Sequence, residues 1–373
     1  MKKLLLSFAL LTVFIAAFAF SACSGFDVRI GYDPSTDYGV YWYADGEYVR
    51  SSQNMSSEAF DAKKPTFIFA HGWEPDKENS SNGLVEDLVT HKDTRDKTST
   101  SMRNYAEELK EQGYNVALLG WFSYAKNLGD LFRAIWVDFD KGPALSVRFA
   151  QELSAVLGES YDKDVKMVGH SYGSQLAVAT VYQLVNFKNN GLISNEHIIP
   201  TRVTLADPYI GSTSLIKDWD KLEKAKISYT GEKINGRLPK QLFADKVDDI
   251  VSASDIAVDI YCGMSIASTS YYDYDGSDES FEKLSKNCAF VKSEGLKKGY
   301  GDFNIHNIVR DWVLISIVDE IVMSDQNDDV APSGAASDEE IKSMRGKCYY
   351  QESRRLNVDS DYMTLIDRNA EKY

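Results

Sequence analysis

Gly169-His170-Ser171-Tyr172-Gly173 constrains this chain more than any other stretch, because of what stands on either side of it. Before it, Asp164-Val165-Lys166-Met167-Val168 has the β-type composition of a short strand. After it, Leu176, Ala177, Thr180, Val181, Leu184 and Val185 recur at helical spacing until Asn189-Asn190-Gly191 ends the pattern. Strand, serine, helix is the order of a nucleophile elbow. There a serine held in strained backbone stands clear of the sheet, and flanking glycines let strand and helix pack closely. The plainer reading of the pentapeptide alone is a serine that caps the helix after it.

A serine hydroxyl becomes a useful nucleophile when a base takes its proton and a carboxylate orients that base. The chain has 5 histidines. After an elbow serine the acid and then the histidine follow in chain order, which leaves out His71, His91 and His170. His197 precedes both acid candidates, so His306, in Asn304-Ile305-His306-Asn307 ahead of an apolar segment at 308–322, is the expected base. Asp207 follows the strand-like Arg202-Val203-Thr204-Leu205-Ala206, which sets a carboxylate at the carboxyl end of a strand, where open α/β sheets meet ligands. Asp249, in Lys246-Val247-Asp248-Asp249-Ile250-Val251, comes later and equally suits the end of a following strand. Ordinary duties also exist for both, an Asp-Pro turn and a helix start. Negative charge developing on an attacked carbonyl needs N–H donors. The expected ones are Tyr172, next after the serine, and Trp73, where the apolar Thr66-Phe67-Ile68-Phe69-Ala70 runs into His71-Gly72-Trp73.

Around these motifs strand-like and helix-like stretches alternate, which implies a parallel sheet covered on both faces. Met102, Tyr105, Ala106 and Leu109 share one helix face before Gly113, residues 115–119 are strand-like, and Leu145, Phe149, Leu153, Val156 and Leu157 form another helical stripe. Dense tyrosine, tryptophan and valine around Asp45-Gly46 predict an antiparallel hairpin. Residues 74–100 form a polar insertion, whereas residues 122–137 carry Tyr124, Leu128, Leu131, Phe132, Ile135 and Trp136 with few charges. The second segment is read either as an apolar lid or as a helix buried in the domain body.

Four pieces taken together make the chain resemble a lipase or esterase of the α/β-hydrolase superfamily, most similar to the pancreatic-lipase-like branch. They are Phe67-Ile68-Phe69-Ala70-His71-Gly72-Trp73, Leu118-Leu119-Gly120-Trp121, the elbow, and Leu205-Ala206-Asp207-Pro208, within residues 65–312. The resemblance implies an α/β-hydrolase fold, a mostly parallel central sheet with helices on both faces and a hairpin at the N-terminal edge. It also implies cleavage of small-molecule or lipid carboxylic esters through an acyl-enzyme, with no cofactor and no metal. In that branch a Leu-Asp-Pro step supplies the acid, which implies Asp207, although Ala206 here separates leucine from aspartate. Fungal-type lipases resemble the chain through a later Asp-Ile-Val segment and imply Asp249. The competing expectation is a surface-anchored protein of this fold that binds without turnover.

Lys2-Lys3, an apolar run at 4–20 broken only by Ser7 and Thr12, and small residues after it make residues 1–22 a signal peptide. A span would need about 20 apolar residues. Phe20-Ser21-Ala22-Cys23 resembles a bacterial lipobox, so Cys23 is expected to carry lipid and to hold the mature chain on the outer side of a membrane. Cleavage after Ala17-Phe18-Ala19 would instead leave a secreted enzyme. The remaining sequence divides into a hydrolase domain at 23–323, an acidic linker at 324–340 and a tail at 341–373. Of the other cysteines, Cys262 and Cys288 are the expected disulfide, closing a loop with Tyr271, Asp273, Asp275 and Asp278 that lacks calcium-site spacing. The net charge of −15, or −17 once Lys2 and Lys3 are removed, excludes nucleic acid as the expected partner.

Overall fold

The computed structural model describes residues 38–51, 55–73, 91–92, 102–138, 142–263, 279–293, 302–351 and 363–366. The signal peptide, Cys23, most of the polar insertion and the loop at 271–278 lie outside the described residues.

Asp45-Gly46 turns the chain back on itself as its composition predicts. Both residues take left-handed backbone, with φ of 50° and 84°, the pattern of a two-residue type I′ turn. Strand β1 (Gly39–Ala44) therefore folds antiparallel onto β2 (Glu47–Arg50), with Ala44 opposite Glu47. The later strands are β3 (Thr66–Ala70), β4 (Asn115–Gly120), β5 (Val165–His170), β6 (Arg202–Ala206) and β7 (Ala257–Cys262). They are followed by β8 (Ala289–Ser293), β9 (Cys348–Gln351) and β10 (Met363–Ile366). All join one 10-stranded sheet in the order β10-β9-β8-β7-β6-β5-β3-β4-β1-β2. From β4 to β9 neighbouring strands are parallel, while the hairpin and β10 close the two edges antiparallel.

Side chains alternate across a strand, so each strand serves two cores. In β3, Ile68 and Ala70 face one core while Phe67 and Phe69 face the other; Ala117 and Leu119 of β4 divide from Val116 and Leu118 in the same way. Helices α1 (Tyr105–Glu111), α2 (Phe122–Ala125), α3 (Leu131–Trp136), α4 (Leu145–Leu157) and α5 (Tyr172–Asn189) come first in the chain. Then come α6 (Pro239–Ser254), α7 (Glu279–Asn287), α8 (Asp302–Val318) and α9 (Asp338–Ser343). Each face of the sheet has its own set of helices, and α4, α5 and α6 cover the first core through Phe149, Leu176 and Leu242. On the other face Leu109 of α1, Trp312 of α8 and Ile341 of α9 fill the second core. A doubly covered, mostly parallel sheet with an elbow after β5 is the α/β-hydrolase fold that the motifs imply.

Two expectations are corrected, and one open choice is decided first. In residues 122–137, Phe122, Leu131, Phe132, Ile135 and Trp136 are buried in the domain body, and Trp136 Nε1–H donates to Gln175 Oε1 at 3.0 Å. The apolar stripe that suggests a lid is thus a core stripe. Acidic composition reads 324–340 as a linker and 341–373 as a tail, yet Asp325, Ser333 and Ala336 are buried and β9 extends the sheet beside β8. Arg202 of β6 donates to the carbonyls of Ser333 and Ala336 at 2.8 and 2.6 Å, which fastens the segment to the body. Finally, Cys262 and Cys288 are not disulfide-bonded; both are buried thiols, as is Cys348. Parallel pairing sets Cys262 beside Lys292, four residues past Cys288, so the two cysteines stand roughly 13 Å apart along the strands. A disulfide needs Cα atoms within about 7 Å. Burial pushes the Cys288 thiol well above its usual range.

Candidate active site

Three strands end together, and the site stands on their carboxyl ends. In the parallel register Ala70 of β3 is opposite Gly169 of β5, and His170 of β5 is opposite Ala206 of β6. The next residues along, Ser171 and Asp207, both leave their strands with left-handed backbone, at φ of 57° and 42°. Such backbone costs about 1–3 kcal/mol at a non-glycine residue and persists only where surroundings enforce it. Here the enforcement is main-chain bonding. Ser171 N–H donates to Ala206 O at 3.1 Å, and Asp207 N–H donates to Tyr261 O at 2.6 Å.

The glycines of the pentapeptide are explained by what a methyl group would strike. A Cβ on Gly173 would lie 2.0 Å from the Ala70 carbonyl oxygen, and one on Gly169 would lie 2.6 Å from the Gly173 carbonyl oxygen. The start of α5 therefore sits directly on the ends of β3 and β5. Gly72 extends the same argument to the loop after β3, since a Cβ there would come within 2.6 Å of Ser171 Cβ and 3.1 Å of its Oγ. Bare backbone passes over the serine. That loop is itself held in place: Trp121 Nε1–H donates to His71 O at 3.1 Å, and the His71 ring stacks on Phe122 with centroids 4.0 Å apart. Trp73 is anchored by its indole, which donates to Lys126 O at 3.0 Å, and Tyr172 opens α5 directly after the serine.

Asp207 and His306 meet although 99 residues separate them. His306 Nδ1 and Asp207 Oδ2 are 2.6 Å apart; because a carboxylate only accepts, Nδ1 carries the proton and Nε2 is the ring's basic position. The second carboxylate oxygen, Oδ1, accepts the Gly263 N–H at 2.9 Å from just beyond β7. Asp207 is fully buried, while the His306 side chain keeps 13% exposure. His306 lies in the first part of α8 rather than in a loop ahead of it, and Ile308, Val309, Trp312 and Val313 pin that helix to the sheet. Among the described residues neither Ser171 Oγ nor His306 Nε2 is engaged in a hydrogen bond.

Asp249 stands elsewhere. It is on α6, not at a strand end, with a half-exposed side chain paired to Lys246 Nζ at 2.7 Å. One contributor carries no signal that spacing could reveal: the Gly263 amide, which any residue but proline would offer. Another, His170, is visible in the pentapeptide but is set aside by chain order as a base. Its Nε2 lies 3.1 Å from the His306 carbonyl oxygen.

No family model matches the chain, and no curated protein matches it at the sequence level. Among solved structures it is similar to Est1E from Butyrivibrio proteoclasticus, at 16% identity over 74% of this chain and 98% of that one, with a TM-score of 0.33. A lipase-esterase related protein from Clostridium acetobutylicum ATCC 824 shares 11% identity over 74% and 98% of the two chains, with a TM-score of 0.31. Esterase B from Lactobacillus rhamnosis, in a phosphonate-inhibited form, shares 16% identity over 84% and 79%, with a TM-score of 0.27. Superpositions this loose leave the fold resting on the sheet order and the site resting on its own geometry.

Proposed function

We propose that the chain is a serine hydrolase of carboxylic esters, with Ser171 as nucleophile, His306 as base and Asp207 as the acid that orients it. The carrying observation is the 2.6 Å bond from His306 to a buried aspartate that leaves its strand beside the elbow serine. In this reading His306 Nε2 takes the proton as Ser171 Oγ bonds to the ester carbonyl carbon, and the N–H groups of Trp73 and Tyr172 receive the oxyanion. His306 then returns the proton to the departing alcohol as the ester C–O bond breaks, leaving the acyl group on Ser171. Water, activated by the same imidazole, releases the acid. Asp207 keeps its charge throughout and stabilises the imidazolium. Hydroxyl-to-imidazole bonds are often slack without substrate and tighten when it binds.

The test is Ser171→Ala. Hydrolysis of a short p-nitrophenyl ester is expected to fall by at least about a thousandfold, and covalent labelling by a fluorophosphonate to vanish, in a chain that melts like the wild type. Turnover that survives the substitution removes the hydrolase reading.

A further inference from the structure

His170 is placed to do more than separate a glycine from the serine. It is 6% exposed and ends β5, so its backbone is continuous with that of Ser171. Its side chain reaches the base from a direction that Asp207 does not use. His170 Nε2 lies 3.1 Å from the His306 main-chain oxygen, and since a carbonyl accepts only, Nε2 is the protonated nitrogen and the donor. The two imidazole rings also touch, with centroids 4.5 Å apart and planes inclined by 40°.

The Asp207 bond fixes one atom of the His306 ring, Nδ1, and does not by itself set how far the ring stands from the serine. Helix α8 comes from a distant part of the chain and packs through Ile308 and Trp312 into the core that also holds Val168 of β5 and Ala206 of β6. A donor rooted one residue before Ser171 adds a direct tether to the elbow. It ties the base's backbone to the nucleophile's backbone, and the ring contact limits swing about the Nδ1–Asp207 axis. We infer that His170 is a positioning residue for ester hydrolysis, which sets the Ser171-to-His306 separation through its hydrogen bond to the His306 carbonyl. This rests on the hydrolase reading of the site. Misplacement of a reacting group by about 1 Å costs up to about a hundredfold in rate, so the bond is worth a measurable factor.

Two substitutions in the full chain separate the donor from the ring. Phenylalanine keeps an aromatic wall beside His306 and has no donor; glutamine places an N–H near the Nε2 position and has no ring. With a short p-nitrophenyl ester, His170→Phe is expected to lower kcat by about tenfold to a hundredfold with KM within about twofold of wild type. Fluorophosphonate labelling of Ser171 should slow in proportion. His170→Gln is expected to regain kcat to within about threefold of wild type. Melting temperatures are recorded for each, and if His170→Phe does not fold, His170→Asn replaces it, because the shorter amide cannot reach the carbonyl. A kcat for His170→Phe within about twofold of wild type overturns the role, as does a folded His170→Gln no faster than the donorless variant. Turnover that needs Ser171 but ignores His170 removes this role alone, whereas turnover that ignores Ser171 removes the hydrolase reading and the role with it.

Discussion

Strand β6 carries a charged pair near each of its ends. At the amino end Arg202 meets Asp259 of β7; just past the carboxyl end Asp207 meets His306 of α8. The first pair is enclosed. Arg202 grips both Asp259 oxygens at 3.2 and 2.5 Å, two of its other N–H groups serve the Ser333 and Ala336 carbonyls, and Thr204 Oγ1 donates to Asp259 Oδ1 at 2.7 Å. Side-chain exposures are 3% and 0%. Burial works against the guanidinium's charge, but the adjacent Asp259 outweighs it and holds Arg202 above its ordinary range. The second pair shares the buried aspartate and differs in its partner. An imidazole can both take and return a proton where a guanidinium cannot, and the His306 side chain keeps 13% exposure. A pair closed on all sides secures the fold; the same chemistry left unfinished on one side is available to a substrate.

The largest expected effect comes from making the open pair unable to orient. Asp207→Asn keeps the shape of the side chain but offers an amide where Nδ1–H needs a carboxylate, so His306 loses its tautomer and the imidazolium loses its counter-charge. Turnover of a short p-nitrophenyl ester is expected to fall by about ten-thousandfold while the thermal midpoint moves by a few degrees at most. Near-wild-type turnover in this variant would mean that some other carboxylate orients the base.

A smaller effect, of the opposite kind, is expected from opening the closed pair. Arg202→Met leaves Asp259 buried without its counter-ion and the Ser333 and Ala336 carbonyls without their donor, at a cost of about 3–5 kcal/mol in urea unfolding. The surviving folded protein should keep kcat within about twofold, since Arg202 lies roughly 16 Å from the site along β6. A large loss of kcat with little loss of stability would erase the distinction between the two ends.

The open pair is more legible in sequence than the closed one. Ser171 is announced by strand, glycines and helix, and chain order then selects His306 from 5 histidines because the fold imposes a sequence of roles. The Asp45-Gly46 hairpin is legible because only certain residues tolerate its φ angles. Arg202 and Asp259 look like ordinary strand residues, since the carbonyls that Arg202 serves lie more than a hundred positions away and a carbonyl has no composition. For the same reason residues 324–340 pass for a linker: small and acidic residues signal exposure until a buried arginine claims their backbone. The Cys262–Cys288 expectation fails on register, because proximity in sequence and neighbouring strands do not bring two residues level in a parallel pair. In residues 122–137 an apolar stripe specifies burial without specifying what it is buried against.

The smallest effect is expected at the acid that spacing alone leaves in contention. Asp249 is an alternative to Asp207 in sequence, but on α6 its carboxylate pairs with Lys246, a cation only 2% exposed that also holds Glu232 at 2.5 Å. Asp249→Asn leaves Lys246 with Glu232 and with the face of the Tyr182 ring, 4.4 Å from Nζ. The lost attraction is that of a half-exposed carboxylate, about 1 kcal/mol or less, which in a chain of this size lowers the melting temperature by about 2–4 °C at most. Turnover is expected to stay within about twofold of wild type. Measured beside Asp207→Asn under one set of conditions, it turns the comparison of two acids into a ratio of roughly several thousandfold. A ratio near one, or inverted, would show that the hydrogen bond to His306 is not the one that orients the base during catalysis, and would pass that role to an acid outside the strand ends.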